Sequence, residues 1–311
     1  MPTLFNSRLS MPAAAATLAP MISRSLLCLF MASALTQAAQ PGRPSKAESK
    51  TPKLGEWSQI TLKESPPPSD PEQLKSRMHA AENPGAYDVT RETFSILVPK
   101  GYRKEVPYGL FVWVSPSANA SIPKEWEAVL AEKKLIFIGA HNSGNPRDVF
   151  DRMRMAVDAN HNLRGMFNVD DQRVYVSGFS GGSRVASMLG VCYADMFTGA
   201  ICFMGVNFYE PVLGEDKMMY QARYIPNEEI LGIAKKECRF VFLTGEKDFN
   251  LADTKAVHAA ALKGGFQAVE FYNIPNQGHQ PPAAEWLRRS LDYLDQGKGE
   301  TKAGGLPVKN S

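Results

Sequence analysis

The 311-residue chain is poor in the residues from which metal centres and disulfide scaffolds are built, with four cysteines and five histidines. No cysteine stands in Cys-x-x-Cys or Cys-His spacing, which excludes the common structural zinc patterns. Charge of one sign is nearly lacking as an excess: the formal net is +3, and Lys and Arg are scattered. No basic stretch exists to follow a phosphate backbone, so nucleic acid is not an expected partner. The chain also lacks an apolar run of the roughly 20 residues that a bilayer-spanning helix requires. The nearest approach, residues 26–35, follows Arg24 and precedes the small residues Ala38 and Ala39, which is the layout of a secretory signal peptide.

Residues 1–39 are therefore expected to be a signal peptide, with Met21 as an alternative start, and the protein to be exported to the periplasm or beyond the cell. No stable membrane insertion is expected once the signal is removed. Cys28 would leave with the signal, and Cys192, Cys202 and Cys238 would remain. That odd number fits either one disulfide beside a free thiol or three buried thiols, and the spacing does not choose between them. Residues 40–56, rich in Pro, Ser and Lys without hydrophobic periodicity, read as a flexible linker, and residues 297–311 read as a disordered tail. The folded domain is expected at residues 57–296.

Within it, compact runs rich in β-branched and aromatic residues predict strands at 93–99, 109–115, 134–140, 173–178, 199–205, 239–245 and 268–274. Helical patterns stand between the later ones. Residues 146–167 place Val149, Met153, Val157, His161 and Leu163 near one face, residues 254–263 are similar, and a last helix begins near Pro281 and Pro282. Strands that read as buried on both faces and alternate with helices imply an α/β fold with a mainly parallel central sheet flanked by helices. Residues 206–237 break the alternation and read as a small insertion, with a short helix capped by Asn227.

In such a sheet, ligands gather where strand C-termini meet loops. Ser180 stands there, in "SGFSGGS", with Gly178 and Gly182 at the two places where a sharp strand-to-helix turn leaves no room for a side chain. A serine needs a general base, and the base an orienting acid. The loop after strand 239–245 carries Asp248, and the loop after strand 268–274 carries His279, giving the order Ser, Asp, His of an α/β-hydrolase sheet. Glu246 and Asp253 compete with Asp248; His141, at another strand end, competes with His279 but precedes the serine. His79, His161 and His258 read as structural.

The stretch 169–201, with Asp171, Arg173, Val174, Tyr175, Gly178, Ser180, Tyr193 and Phe197, resembles the nucleophile region of polyhydroxybutyrate depolymerase-like and feruloyl-esterase-like α/β-hydrolases. The resemblance extends through "VPKGY", "TGEKD" and "NQGH" and covers most of residues 90–295. It implies a Ser180 nucleophile, an Asp248 acid and a His279 base. With the export expected from residues 1–39, it points to a serine esterase needing no cofactor or metal, acting on a small-molecule ester, an acyl or feruloyl ester of polysaccharide, or a short polyester. One departure stands out. Where these relatives carry His-Gly, this chain has Ser115-Pro116-Ser117, and Pro116 has no N–H to offer an oxyanion. Gly181 and Ser117 are then the expected oxyanion donors. Asn142 and Asn145, after strand 134–140, and the aromatic residues Phe208 and Tyr209, with Trp113, Tyr220 and Tyr224, are expected near the substrate. The competing reading is a non-catalytic binding protein that kept the fold after its oxyanion loop degenerated. Transfer of the acyl group to an acceptor other than water would use the same residues.

Overall fold

The computed structural model describes residues 51–298. The signal peptide, most of the linker and all but the first two residues of the tail lie outside them. Among the described residues there are ten strands: β1 (Trp57–Ile60), β2 (Phe94–Leu97), β3 (Tyr108–Val114), β4 (Leu135–Ala140), β5 (Val169–Phe179), β6 (Gly199–Phe203), β7 (Val212–Leu213), β8 (Met219–Tyr220), β9 (Arg239–Gly245) and β10 (Val269–Ile274). Seven α-helices join them: α1 (Pro71–Met78), α2 (Trp126–Glu132), α3 (Val149–Met166), α4 (Gly181–Cys192), α5 (Glu228–Glu237), α6 (Leu251–Lys263) and α7 (Ala284–Asp295).

Eight strands form one sheet in the order β1-β2-β4-β3-β5-β6-β9-β10. Its β1–β2 and β2–β4 pairs are antiparallel and its other five are parallel. Period-two alternation divides the core between the two faces. On β3, Leu110, Val112 and Val114 join one cluster with α3 and α4, while Phe111 and Trp113 join a second with α2 and α7. This is why β3 and β6 are apolar at nearly every position: both faces are covered.

Several expectations shift. Strand β1 and helices α1 and α2 were not anticipated. The linker reading runs too far, because Leu54 bridges Val98 and the Gly55 N–H donates to the Val98 carbonyl at 2.7 Å. The tail begins later than expected, because the Lys298 ammonium donates to Thr198 Oγ1 at 3.1 Å, and its burial lowers its pKa to about 8. Pro281 and Pro282 precede α7 and its N-cap Ala283 rather than entering its first turn. Helix α3 is not buried on one face only: Asp151, Arg152, Asp158 and Asn160 are buried as well. The segment before β2 covers its outer side, where Asp158 accepts hydrogen bonds from Ser65 Oγ at 2.9 Å and Tyr87 OH at 2.8 Å. Residues 206–237 do form the insertion, a two-strand hairpin β7–β8 followed by α5. Of the two sulfur readings, the structure has three buried free thiols; Cys238 Sγ faces the Phe197 carbonyl at 3.3 Å. No helix among the described residues is long and apolar enough to cross a membrane.

Candidate active site

Strand β5 ends at Phe179 and α4 begins at Gly181, so Ser180 alone makes the turn. Its backbone takes φ 54° and ψ −122°, a conformation that a non-glycine residue adopts only under constraint. The constraint is close packing of backbone on backbone. A Cβ on Gly178 would lie 2.4 Å from the Gly182 carbonyl carbon, and one on Gly182 would lie 2.0 Å from the Val114 oxygen. The Ser180 N–H is fixed by the Phe203 carbonyl at 2.9 Å.

The loops after β9 and β10 meet at this turn. His279 Nε2 lies 2.9 Å from Ser180 Oγ, and His279 Nδ1 lies 2.8 Å from Asp248 Oδ2. An ionised carboxylate only accepts, so Nδ1–H donates to Asp248 and Nε2 is left to accept the serine proton. The Asp248 side chain is fully buried, and its other oxygen accepts the Asn250 N–H at 2.7 Å and the Asn250 amide at 2.9 Å. Phe179 and Phe249 flank the imidazole, with ring centroids 5.0 and 4.4 Å away. Phe249 is 76% exposed, the most open of the exposed large apolar side chains among the described residues.

The competing residues are engaged elsewhere. His141 Nε2 meets Ser95 Oγ at 2.9 Å, His161 meets Glu64, His79 meets the Ile225 carbonyl, and His258 stacks on Phe271. Glu246 accepts the Asn276 N–H, and Asp253 pairs with Arg184 at 3.0 Å.

Two residues the sequence reading passed over, Asn250 and Arg184, hold the acid in place. The Arg184 guanidinium donates to Asn250 Oδ1 at 2.8 Å, to Asp253 Oδ2 at 3.0 Å and to the Val206 carbonyl at 2.8 Å. Asn250 thus passes one amide to Asp248 and takes a charged donor behind it. The "DFN" spacing carried a signal, since an Asp accepting the N–H two residues on is an Asx-turn. Arg184, in the first turns of α4, offered none. Burial raises the Asp253 pKa, and Arg184 opposes that shift.

Helix α4 leaves the Gly181 N–H without an intrahelical partner, pointing out of its first turn. The Ser117 N–H, the other expected donor, is bound to Ser115 Oγ at 3.1 Å, and that hydroxyl donates onward to the Asn119 carbonyl at 2.7 Å. The loop after β4 lies on this turn: the Asn142 N–H donates to the Ala118 carbonyl at 2.7 Å and the Asn145 N–H to the Pro116 carbonyl at 3.0 Å. Asn142 is a loop-forming residue with φ 53°, whereas the Asn145 carboxamide lies against Gly181.

Beside the triad, the insertion walls a cleft of about 300 Å³ lined by Arg184, Val206, Phe208, Tyr220, Phe249 and Asn250, among others. Phe208 and Tyr220 are on its lining. Tyr209 is not on the lining; its ring packs against Phe208 at 4.4 Å and against Phe266. Trp113 and Tyr224 are buried, Trp113 edge-on to Trp126. Among the described residues no three His, Cys, Asp or Glu side chains are grouped to hold a metal ion.

No family profile matches the chain, and no curated protein matches it by sequence. Solved structures do. An arylesterase is 13% identical with a TM-score of 0.51, over 79% of this chain and 88% of its own. The substrate-bound fluorophosphonate-binding serine hydrolase F of Staphylococcus aureus is 11% identical with a TM-score of 0.50, over 78% of this chain and 99% of its own. Against a much longer chain assigned as a dipeptidyl aminopeptidase IV of Bacteroides ovatus, the protein is 14% identical over 76% of its own length but spans only 35% of that chain, at a TM-score of 0.49. The strand order, the strand-to-helix turn at Ser180 and the likenesses to the arylesterase and to hydrolase F together identify the α/β-hydrolase fold.

Proposed function

We propose that this protein is a serine hydrolase that cleaves a carboxylic ester through an acyl-enzyme. The observation that carries the reading is the unbroken hydrogen-bond chain from Ser180 Oγ through His279 to Asp248, with spacings of 2.9 and 2.8 Å. In the first step His279 Nε2 takes the Ser180 proton while Oγ attacks the acyl carbon; the carbonyl π-bond opens onto its oxygen. The N–H of Gly181 faces that oxygen, and the N-terminus of α4 favours its negative charge. Collapse of the adduct releases the alcohol, which leaves with the proton from His279. Water then attacks the acyl-serine with His279 again as base, and the acid departs as His279 returns that proton to Ser180 Oγ. Asp248 keeps Nδ1 protonated throughout and steadies the imidazolium.

The cleft wall is mixed, with Phe249, Phe208 and Val206 beside Arg184, Glu210, Arg223 and Asp253, and none of Ser180, Asp248 and His279 lines it. The substrate class therefore follows the resemblance, which calls for an acyl or phenolic group. An acyl or feruloyl ester on a polysaccharide, or a short polyester, presents such a group at an accessible bond. Export by residues 1–39 would bring the enzyme to substrates of that size.

Labelling with a fluorophosphonate probe followed by intact mass tests this reading. One adduct, absent from Ser180→Ala, is the expected result. A folded wild-type protein that takes no adduct overturns it and returns the chain to the binding-protein reading.

A further inference from the structure

We propose that the side-chain amide of Asn145, reaching over from the loop after β4, is the second oxyanion donor, the place that loop backbone after β3 was expected to fill. The proposal rests on the ester-hydrolase reading above and adds a catalytic residue to it. Stabilising the tetrahedral oxygen calls for converging donors, and Gly181 supplies one. The loop after β3 has little to add. Pro116 has no N–H, and the Ser117 N–H is held by Ser115 Oγ. Ser115 is itself 1% exposed and fixed twice more: its hydroxyl donates to the Asn119 carbonyl at 2.7 Å, and its carbonyl accepts from Arg152 at 3.0 Å.

What stands at the site instead is the Asn145 carboxamide. A Cβ on Gly181 would lie 2.0 Å from Asn145 Oδ1, 2.6 Å from Cγ and 2.9 Å from Nδ2. Gly181 does not take a positive φ, so its backbone would accept another residue. What glycine provides there is room, and Asn145 occupies it. The carboxamide therefore sits where the side chain of the residue after the nucleophile would be, on the same α-carbon whose N–H is the first donor.

The amide is also free and well based. It makes no hydrogen bond with any described side chain or backbone group, while the backbone beneath it is fixed. The Asn145 N–H donates to the Pro116 carbonyl at 3.0 Å, Ser143 Oγ to the Ala140 carbonyl at 3.0 Å, and a Cβ on Gly144 would lie 2.8 Å from the Ser117 carbonyl carbon. As placed, Oδ1 lies nearer the Gly181 position than Nδ2 does, so the carboxamide has to turn about its side-chain torsions to present Nδ2 as the donor. In the acylation step the Ser180 proton goes to His279 and the carbonyl electron pair to oxygen; Asn145 lends a hydrogen bond and transfers nothing.

The test compares Asn145→Ala and the isosteric Asn145→Asp with wild type on p-nitrophenyl butyrate and on a fluorophosphonate. Loss of one preorganised donor predicts a fall in kcat of about 100- to 1000-fold with KM changed by less than about threefold, and a parallel slowing of fluorophosphonate inactivation. Both variants should melt near wild type. Turnover within threefold of wild type in either folded variant overturns the proposal, as does a raised KM at unchanged kcat, which would make Asn145 a ground-state contact. An inactive, unlabelled wild-type protein overturns the ester-hydrolase reading, and this assignment with it.

Discussion

Ser180 holds its hydroxyl up at the cost of an unfavourable backbone, and that cost is measurable. Ser180→Gly and Ser180→Ala should both lose turnover, but the glycine variant should be the more stable of the two by about 1 kcal/mol, because only glycine takes φ 54° freely. Urea midpoints of the two variants check this. Asp248→Asn should lower kcat by about 10⁴-fold by presenting the wrong His279 tautomer. Asn250→Ala should lower it by up to about 100-fold, since Asp248 loses the Asn250 side-chain amide while the backbone N–H at that position still holds it. Steady-state kinetics at pH 7.5 separate the two. Ser180, Asp248 and His279 were legible because each follows a strand at a position the topology sends to one edge of the sheet. Arg184 and Asn145 were not legible in these roles. Their parts depend on which loop lies over which helix end, and local sequence does not encode that.

Among the elements, strands β3, β4, β6 and β9 could be read from sequence because both faces are buried and their apolar runs are unbroken. Strand β1 and helix α2 were missed for the opposite reason. Four residues at a sheet edge and seven in a helix are too short for a period to repeat. In α3 the period was there but understated the burial, because a distant segment, residues 61–92, covers the outward side and requires Asp158 to find partners in Ser65 and Tyr87. The start of α5 was legible to the residue: Asn227 Oδ1 accepts the N–H groups of Glu229 at 3.0 Å and Ile230 at 3.2 Å. Asn227→Ala should cost about 1 kcal/mol of stability, read from the urea midpoint. Catalysis should be spared, because the cap lies outside the hydrogen-bond network around Asp248.

For the whole molecule, proton linkage sets an acid limit. Desolvation holds both His141 and His258 below the ordinary histidine pKa. The unfolded chain takes up these protons near pH 6.5 while the folded chain resists them, so this part of the stability is complete above that pH and is lost as pH falls below it. Burial raises Asp158 and Asp253, which pull the other way as pH falls through their raised folded values, so the histidine part is read by comparing wild type with a variant that lacks both histidines. The urea midpoint should therefore drop between pH 7.5 and 5.5, and a His141→Gln, His258→Gln double variant should drop less. The three buried thiols have a different use. With no covalent bridge among Cys192, Cys202 and Cys238, reductant should leave the melting temperature unchanged. Burial pushes the Cys202 and Cys238 thiols up to about 12, so in the native protein they are both shielded and protonated. Alkylation must then wait for the chain to open, and its rate under native conditions becomes a built-in clock for how often the core breathes.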